Sequence, residues 1–180
     1  MGRGAEGRRG RLACTIILPS LFTCLSCGSA DHGSTGTLDA TWTGAEQGSL
    51  RSTAVAQWCP ERRFAEILAV HGDTGVAIAL REVDSIRPGR YAAVLPDSAD
   101  TTAASATVAL RFLSRTSITG FRSDSGQVTV TRARDGTLGV EFQVRARAPE
   151  AAPRIDLRGR AAGVPVRDGG LDCAAGQRGE

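Results

Sequence analysis

Residues 138–148 read LGVEFQVRARA. Leu138, Val140, Phe142, Val144, Ala146 and Ala148 fall on one side of a two-residue period, and Glu141, Gln143, Arg145 and Arg147 on the other. An extended chain points successive side chains to opposite faces. This alternation therefore predicts a strand with one face in a core and the other in water. Upstream, Val128 and Val130 alternate with Gln127, Thr129 and Thr131, and Asp135-Gly136 separates the two runs. Asp-Gly supplies the backbone freedom that a tight hairpin turn requires, so the two runs are expected to pair. Downstream, Ile155 and Leu157 alternate with Arg154, Asp156 and Arg158.

The same period runs through the body of the chain. Val76, Ile78 and Leu80 share one face, as do Val108, Leu110 and Phe112. Turn signals stand between the runs: His71-Gly-Asp73, Arg87-Pro-Gly89, Pro96-Asp97, Asp124-Ser-Gly126 and Asp135-Gly136. The spacing predicts strands near 38–43, 49–58, 63–70, 75–83, 90–95, 105–113, 117–121, 126–133, 137–148 and 154–160. No segment sustains a 3.6-residue period. The expected fold is all-β: a single antiparallel β-sandwich or small β-barrel of about nine strands over 38–173, followed by a flexible tail at 174–180. Residues 97–105, DSADTTAAS, read as a mobile loop.

Composition narrows the function classes. All 22 basic residues are arginine, and the chain holds no Lys and no Asn. Both missing residues have AT-rich codons, so this bias reads as that of a GC-rich genome. The formal charge of +3 resides at the amino terminus, where Arg3, Arg8, Arg9 and Arg11 outnumber Glu6. The rest of the chain balances arginine against carboxylate. A nucleic-acid binder keeps its basic patch in the folded part to neutralise phosphates, so no nucleic-acid partner is expected.

That amino terminus is organised for export. MGRGAEGRRGR is a basic segment, and LACTIILPSLFTCL at 12–25 is uncharged and apolar, broken by Pro19. Fourteen helical residues reach about 21 Å, short of the roughly 30 Å hydrocarbon core, which fits a cleaved signal peptide at 1–26 better than a membrane span. Arg11 stands where a twin-arginine signal has an apolar residue, so the general secretory route is expected. Cys24-Leu25-Ser26-Cys27 resembles the lipobox of bacterial lipoproteins, with Ser26 and Cys27 matching and Cys24 standing where the family has Leu. The resemblance covers the first 25 or so residues and implies diacylglycerol on the Cys27 thiol with cleavage before it. Each buried methylene adds about 0.8 kcal/mol, and two or more chains anchor stably where one does not. The partners then expected are a membrane, through the lipid, and a partner in the cell envelope. Gly28-Ser29-Ala30 also suits ordinary cleavage after Ala30, which would give a freely secreted domain. Residues 27–37 have the Gly/Ser composition of a flexible tether.

Removal of the leader removes Cys14 and Cys24, and lipid occupies Cys27. Cys59 and Cys173 remain, an even pair in an oxidising compartment, and a disulfide between them is expected. No catalytic motif is found. Gly-x-Ser-x-Gly is absent, no phosphate-binding Gly loop occurs, and Asp97, Asp100 and Asp124 do not form an EF-hand loop. His71, Cys59 and Cys173 lack metal-ligand spacing, and His71 reads as an exposed turn residue. No cofactor is expected. Trp42, Trp58 and Tyr91 are assigned to core packing. Arg145, Arg147, Arg154, Arg158 and Arg160 are assigned to one solvent face of a terminal hairpin, paired with Glu141 and Asp156. The functional expectation is a non-catalytic binding or scaffolding module of the envelope. The alternative is a lipocalin-like carrier of a small apolar ligand, which would need an interior cavity of about 300 Å³ or more.

Overall fold

The computed structural model describes residues 35–81, 83–95, 103–114, 117–148, 153–169 and 173. The signal peptide at 1–26, Cys27, the tether as far as residue 34, residues 97–102 of the expected loop and the tail at 174–180 lie outside the described residues.

The fold is all-β and closes on itself. Ten strands follow in order: β1 (Gly36–Gly44), β2 (Gly48–Cys59), β3 (Phe64–His71), β4 (Thr74–Arg81), β5 (Gly89–Ala93), β6 (Ser105–Ser114), β7 (Ser117–Arg132), β8 (Leu138–Arg147), β9 (Arg154–Val164) and β10 (Val166–Asp168). β1 pairs with β2 on one side and β9 on the other, so no free edge remains between the first strand and the ninth. Of the two architectures expected, this is the barrel. Antiparallel neighbours run β1-β2-β3-β4-β6-β7-β8-β9 and back to β1, and β5 is wedged between β6 and β7, parallel to β6. Nine strands make the mixed barrel. The tenth, β10, lies parallel to β2 outside it.

Two departures from the expected strands have local causes. Asp124-Ser-Gly126 reads as a turn, yet β7 runs straight through it as one strand of 16 residues. The pairing with β8 shifts register between Ser123 and Ser125, and Gly126 has φ 123°, a region that L side chains rarely adopt. An extra residue absorbed as a bulge bends a strand without reversing it. The bend lets β7 leave β6 and take up β5. Ser123 is fully buried, and its hydroxyl accepts a hydrogen bond from the Val108 amide at 3.0 Å, supplying the partner that the ladder no longer gives. The second departure is β10, three residues too short to leave a periodic signal.

The hairpin across Asp135-Gly136 forms as expected. The Ala133 amide donates to the Thr137 carbonyl at 2.9 Å, and Gly136 has φ 84°. The Asp135 carboxylate accepts from the Thr137 amide at 3.0 Å and the Thr137 hydroxyl at 2.8 Å. Stabilised chiefly by that amide, the carboxylate is held below its ordinary pKa.

The inward positions of all nine barrel strands, with Val83 and Ile86 beyond β4, form one apolar cluster. Alanines supply much of it, among them Ala40, Ala54, Ala56, Ala65, Ala69 and Ala106. Small residues on one wall leave room for large ones from another. Trp42 of β1 reaches Phe112 of β6, two strands that do not pair, with ring centroids 6.2 Å apart, and Phe112 stacks on Phe121 at the same distance. Phe142 lies opposite Gly159, where an added Cβ would stand 2.5 Å from the ring. Trp42 fills the space of a side chain at Gly48 in the same way.

Candidate functional site

With the inward positions apolar, the chemistry of the molecule lies on its outer wall. The outward residues of β1, β9 and β8 stand side by side in register. Asp39 opposes Arg160, which opposes Glu141, and Thr41 opposes Arg158, which opposes Gln143. Together with Ser49 and Arg51 of β2 and Gln127 and Thr129 of β7, they line an outer depression of about 740 Å³. A second depression of about 640 Å³ continues it, sharing Thr41, Gly126, Gln143 and Arg158 and adding Arg145 and Asp156. The result is a long groove with arginines and carboxylates interleaved along it, to whose lining Ala40, Leu50 and Phe142 also contribute.

Its charges are lightly engaged. Arg51 meets Asp39 at 3.3 Å with both side chains more than half exposed, and Arg145 meets Asp156 at 3.6 Å. Arg158 donates its Nε–H to the Thr41 hydroxyl at 3.3 Å. Exposed pairs of this kind stabilise a fold by only about 0–1 kcal/mol, so a partner that offers equivalent hydrogen bonds displaces them at little cost. Arginine presents a planar fork of donors and the carboxylates accept only, so the groove matches a surface of alternating polar groups. Interleaved acids make it a poor match for a phosphate backbone.

The arginines assigned to a solvent face stand there. Arg145, Arg147, Arg154, Arg158 and Arg160 are all exposed, and Arg154 also meets Asp124 at 3.9 Å. Asp156 pairs as expected, whereas Glu141 faces Arg160 across the strands. His71 is exposed at the β3–β4 turn. Trp42 and Tyr91 are core residues, and Trp58 packs partly buried against the core. The Tyr91 hydroxyl donates to the Arg87 carbonyl at 2.8 Å. Among the described residues no three His, Cys, Asp or Glu side chains gather as a metal site.

Cys59 and Cys173 are joined by a disulfide, with Cα atoms 5.8 Å apart. Cys59 ends β2, and the segment after β10 is laid against it by hydrogen bonds from the Gly169 amide to the Trp58 carbonyl at 2.8 Å and from the Cys173 amide to the Gly169 carbonyl at 3.0 Å. Gly169 permits the approach, since a Cβ there would lie 2.5 Å from the Cys173 sulfur. Structural disulfides persist in oxidising compartments, which agrees with an exported chain.

Sequence reasoning missed the groove itself, because it needs β2 and β7 beside the β8–β9 hairpin. Comparison of the chain with protein-family models, with curated proteins and with solved structures found no match.

Proposed function

We propose that this protein is an exported, non-catalytic binding module of the cell envelope, held to a membrane by lipid on Cys27. On this reading it engages its partner through the groove on the outer wall. The observation that carries it is the contrast between the two faces of the barrel. The inward residues form one apolar cluster bridged from β1 to β6 by Trp42 and Phe112, while the outward face of β1, β8 and β9 carries loosely paired charges over a continuous depression. The partner that fits is a polar surface rich in both donors and acceptors, such as a glycan or an extended peptide.

The anchor and the groove are tested separately. Intact-mass measurement of the exported protein should give a chain beginning at Cys27 with added acyl mass, and Cys27→Ser should release it from membranes. A soluble mature chain beginning at Asp31 would refute the anchor. Retrieval of partners from envelope fractions should succeed with the wild-type chain and fail with Arg158→Ala/Arg160→Ala. Equal retrieval by both would refute the groove.

The lipocalin-like carrier is the second reading, favoured by the closed barrel itself. It requires the inward cluster to open around an apolar ligand. A lipophilic fluorophore whose emission shifts on mixing with the protein, and reverts on addition of a fatty acid, would favour it.

A further inference from the structure

The opposite wall of the barrel has a different character. Among the described residues, the large aliphatic side chains left in water are Leu68 at 41%, Val70 at 53%, Leu113 at 46% and Ile118 at 60% exposure. All of them line a single depression of about 480 Å³ over β3, β4, β6 and the start of β7.

The strand register shows how it is built. Val70 stands opposite Gly75 and Leu68 opposite Ala77, and Ala77 stands opposite Ala109. Along Gly75, Ala77 and Ala109 the face therefore carries nothing beyond a Cβ. Leu68 and Val70 form one bank, and Leu113 paired with Ile118 forms the other. Arg111 lies between Gly75 on one side and Gly120 on the other, so neither neighbouring strand covers its guanidinium. Asp73 lines the same depression and is not paired with Arg111.

We propose that this groove is a self-association surface whose occupant is a second copy of the chain, related by a two-fold axis. A two-fold interface must be complementary to itself. This face holds both a trough and aliphatic banks of matching chemistry, and both an arginine and an aspartate. A two-fold rotation seats the Leu113–Ile118 bank of one copy in the Gly75-Ala77-Ala109 trough of the other and brings each Arg111 toward the other copy's Asp73. The exposed aliphatic surface is on the order of 300 Å². A stable complex buries about 800 Å² per partner, so the dimer is weak and concentration-dependent.

Sedimentation equilibrium of the purified exported protein tests this, with any detergent density-matched by the solvent. The wild-type chain should show a monomer–dimer equilibrium, and Leu113→Ser/Ile118→Ser should weaken it by a factor of about ten or more with an unchanged circular dichroism spectrum. Asp73→Arg and Arg111→Asp should each weaken association by placing like charges across the axis. The double substitution Asp73→Arg/Arg111→Asp should restore it. Wild-type protein that stays monomeric to about 1 mM, the weakest association such a measurement reads, or a double substitution no better than the single ones, overturns the proposal. With Cys27→Ser in both backgrounds to remove the anchoring lipid, a monomeric chain that floats with liposomes when its Leu113→Ser/Ile118→Ser counterpart does not would assign the groove to a lipid surface instead.

Discussion

Replacing Cys59 and Cys173 together by serine tests how the closed barrel is held. The bridge spans a sequence separation of 114 residues, almost the whole described fold. In the chain-entropy picture, a loop of that length lowers the entropy of the unfolded chain by about 16 cal/mol/K, which is about 4–5 kcal/mol at 25 °C. The folded state loses little directly. Beyond the bridge, the final segment is held by the three-residue pairing of β10 with β2 and by the hydrogen bonds of Gly169 and Cys173, none of which needs the sulfur atoms. The loss therefore falls on the unfolded side of the equilibrium. For a domain of this size it corresponds to a fall of roughly 10–15 °C in the thermal midpoint. Calorimetry of the oxidised wild-type protein and of the double serine variant reads the difference directly, with near-ultraviolet circular dichroism to verify that packing is unchanged. Cys173→Ser alone should match the double variant. A variant that packs normally and melts within about 3 °C of wild type would refute the reasoning, because a restraint on the unfolded chain cannot vanish while the folded chain is unaltered.

The other expectations concern single sites. Gly159→Ala should lose about 1–3 kcal/mol in a urea titration, because its Cβ would stand 2.5 Å from the Phe142 ring and 2.6 Å from the Asp39 carbonyl oxygen; Gly89→Ala, with open space around it, is the control and should change little. Phe121→Ala removes a ring that is 2% exposed and stacked on Phe112, and should lower stability by about 3–5 kcal/mol; a loss under about 1 kcal/mol would mean that the barrel closes over the gap. Asp135 has a lowered pKa in the folded protein, so its turn contributes stability at and above the ordinary carboxylate range and loses it as the pH falls through that lowered value. Asp135→Ala should therefore be less stable than wild type at neutral pH and approach it in strong acid, whereas a pH-independent difference would show that the Thr137 bonds are not the cause.

Period-two alternation determined the strands, since a sheet with one dry face demands it wherever a strand is long enough to show it. Leu138–Arg147 and the Asp135-Gly136 hairpin were legible for that reason, and the Cys59–Cys173 pair followed from counting the thiols left over once a leader and a lipidated Cys27 are expected. Local sequence could not separate a turn from a bulge at Asp124–Gly126, because both use the same residue types; the competing neighbours β5 and β6 decided it. Nor could it choose a barrel over a sandwich. Closure depends on β1 finding β9 more than 110 positions away, a pairing between strands that no short window contains. The two outer grooves belong to the same class. Each arises from residues of several strands aligned by register, so the side chains were visible in sequence as polar or apolar outward positions. Only the tertiary structure, by fixing which strands are neighbours, brought Arg158 beside Thr41 and Leu68 across from Leu113.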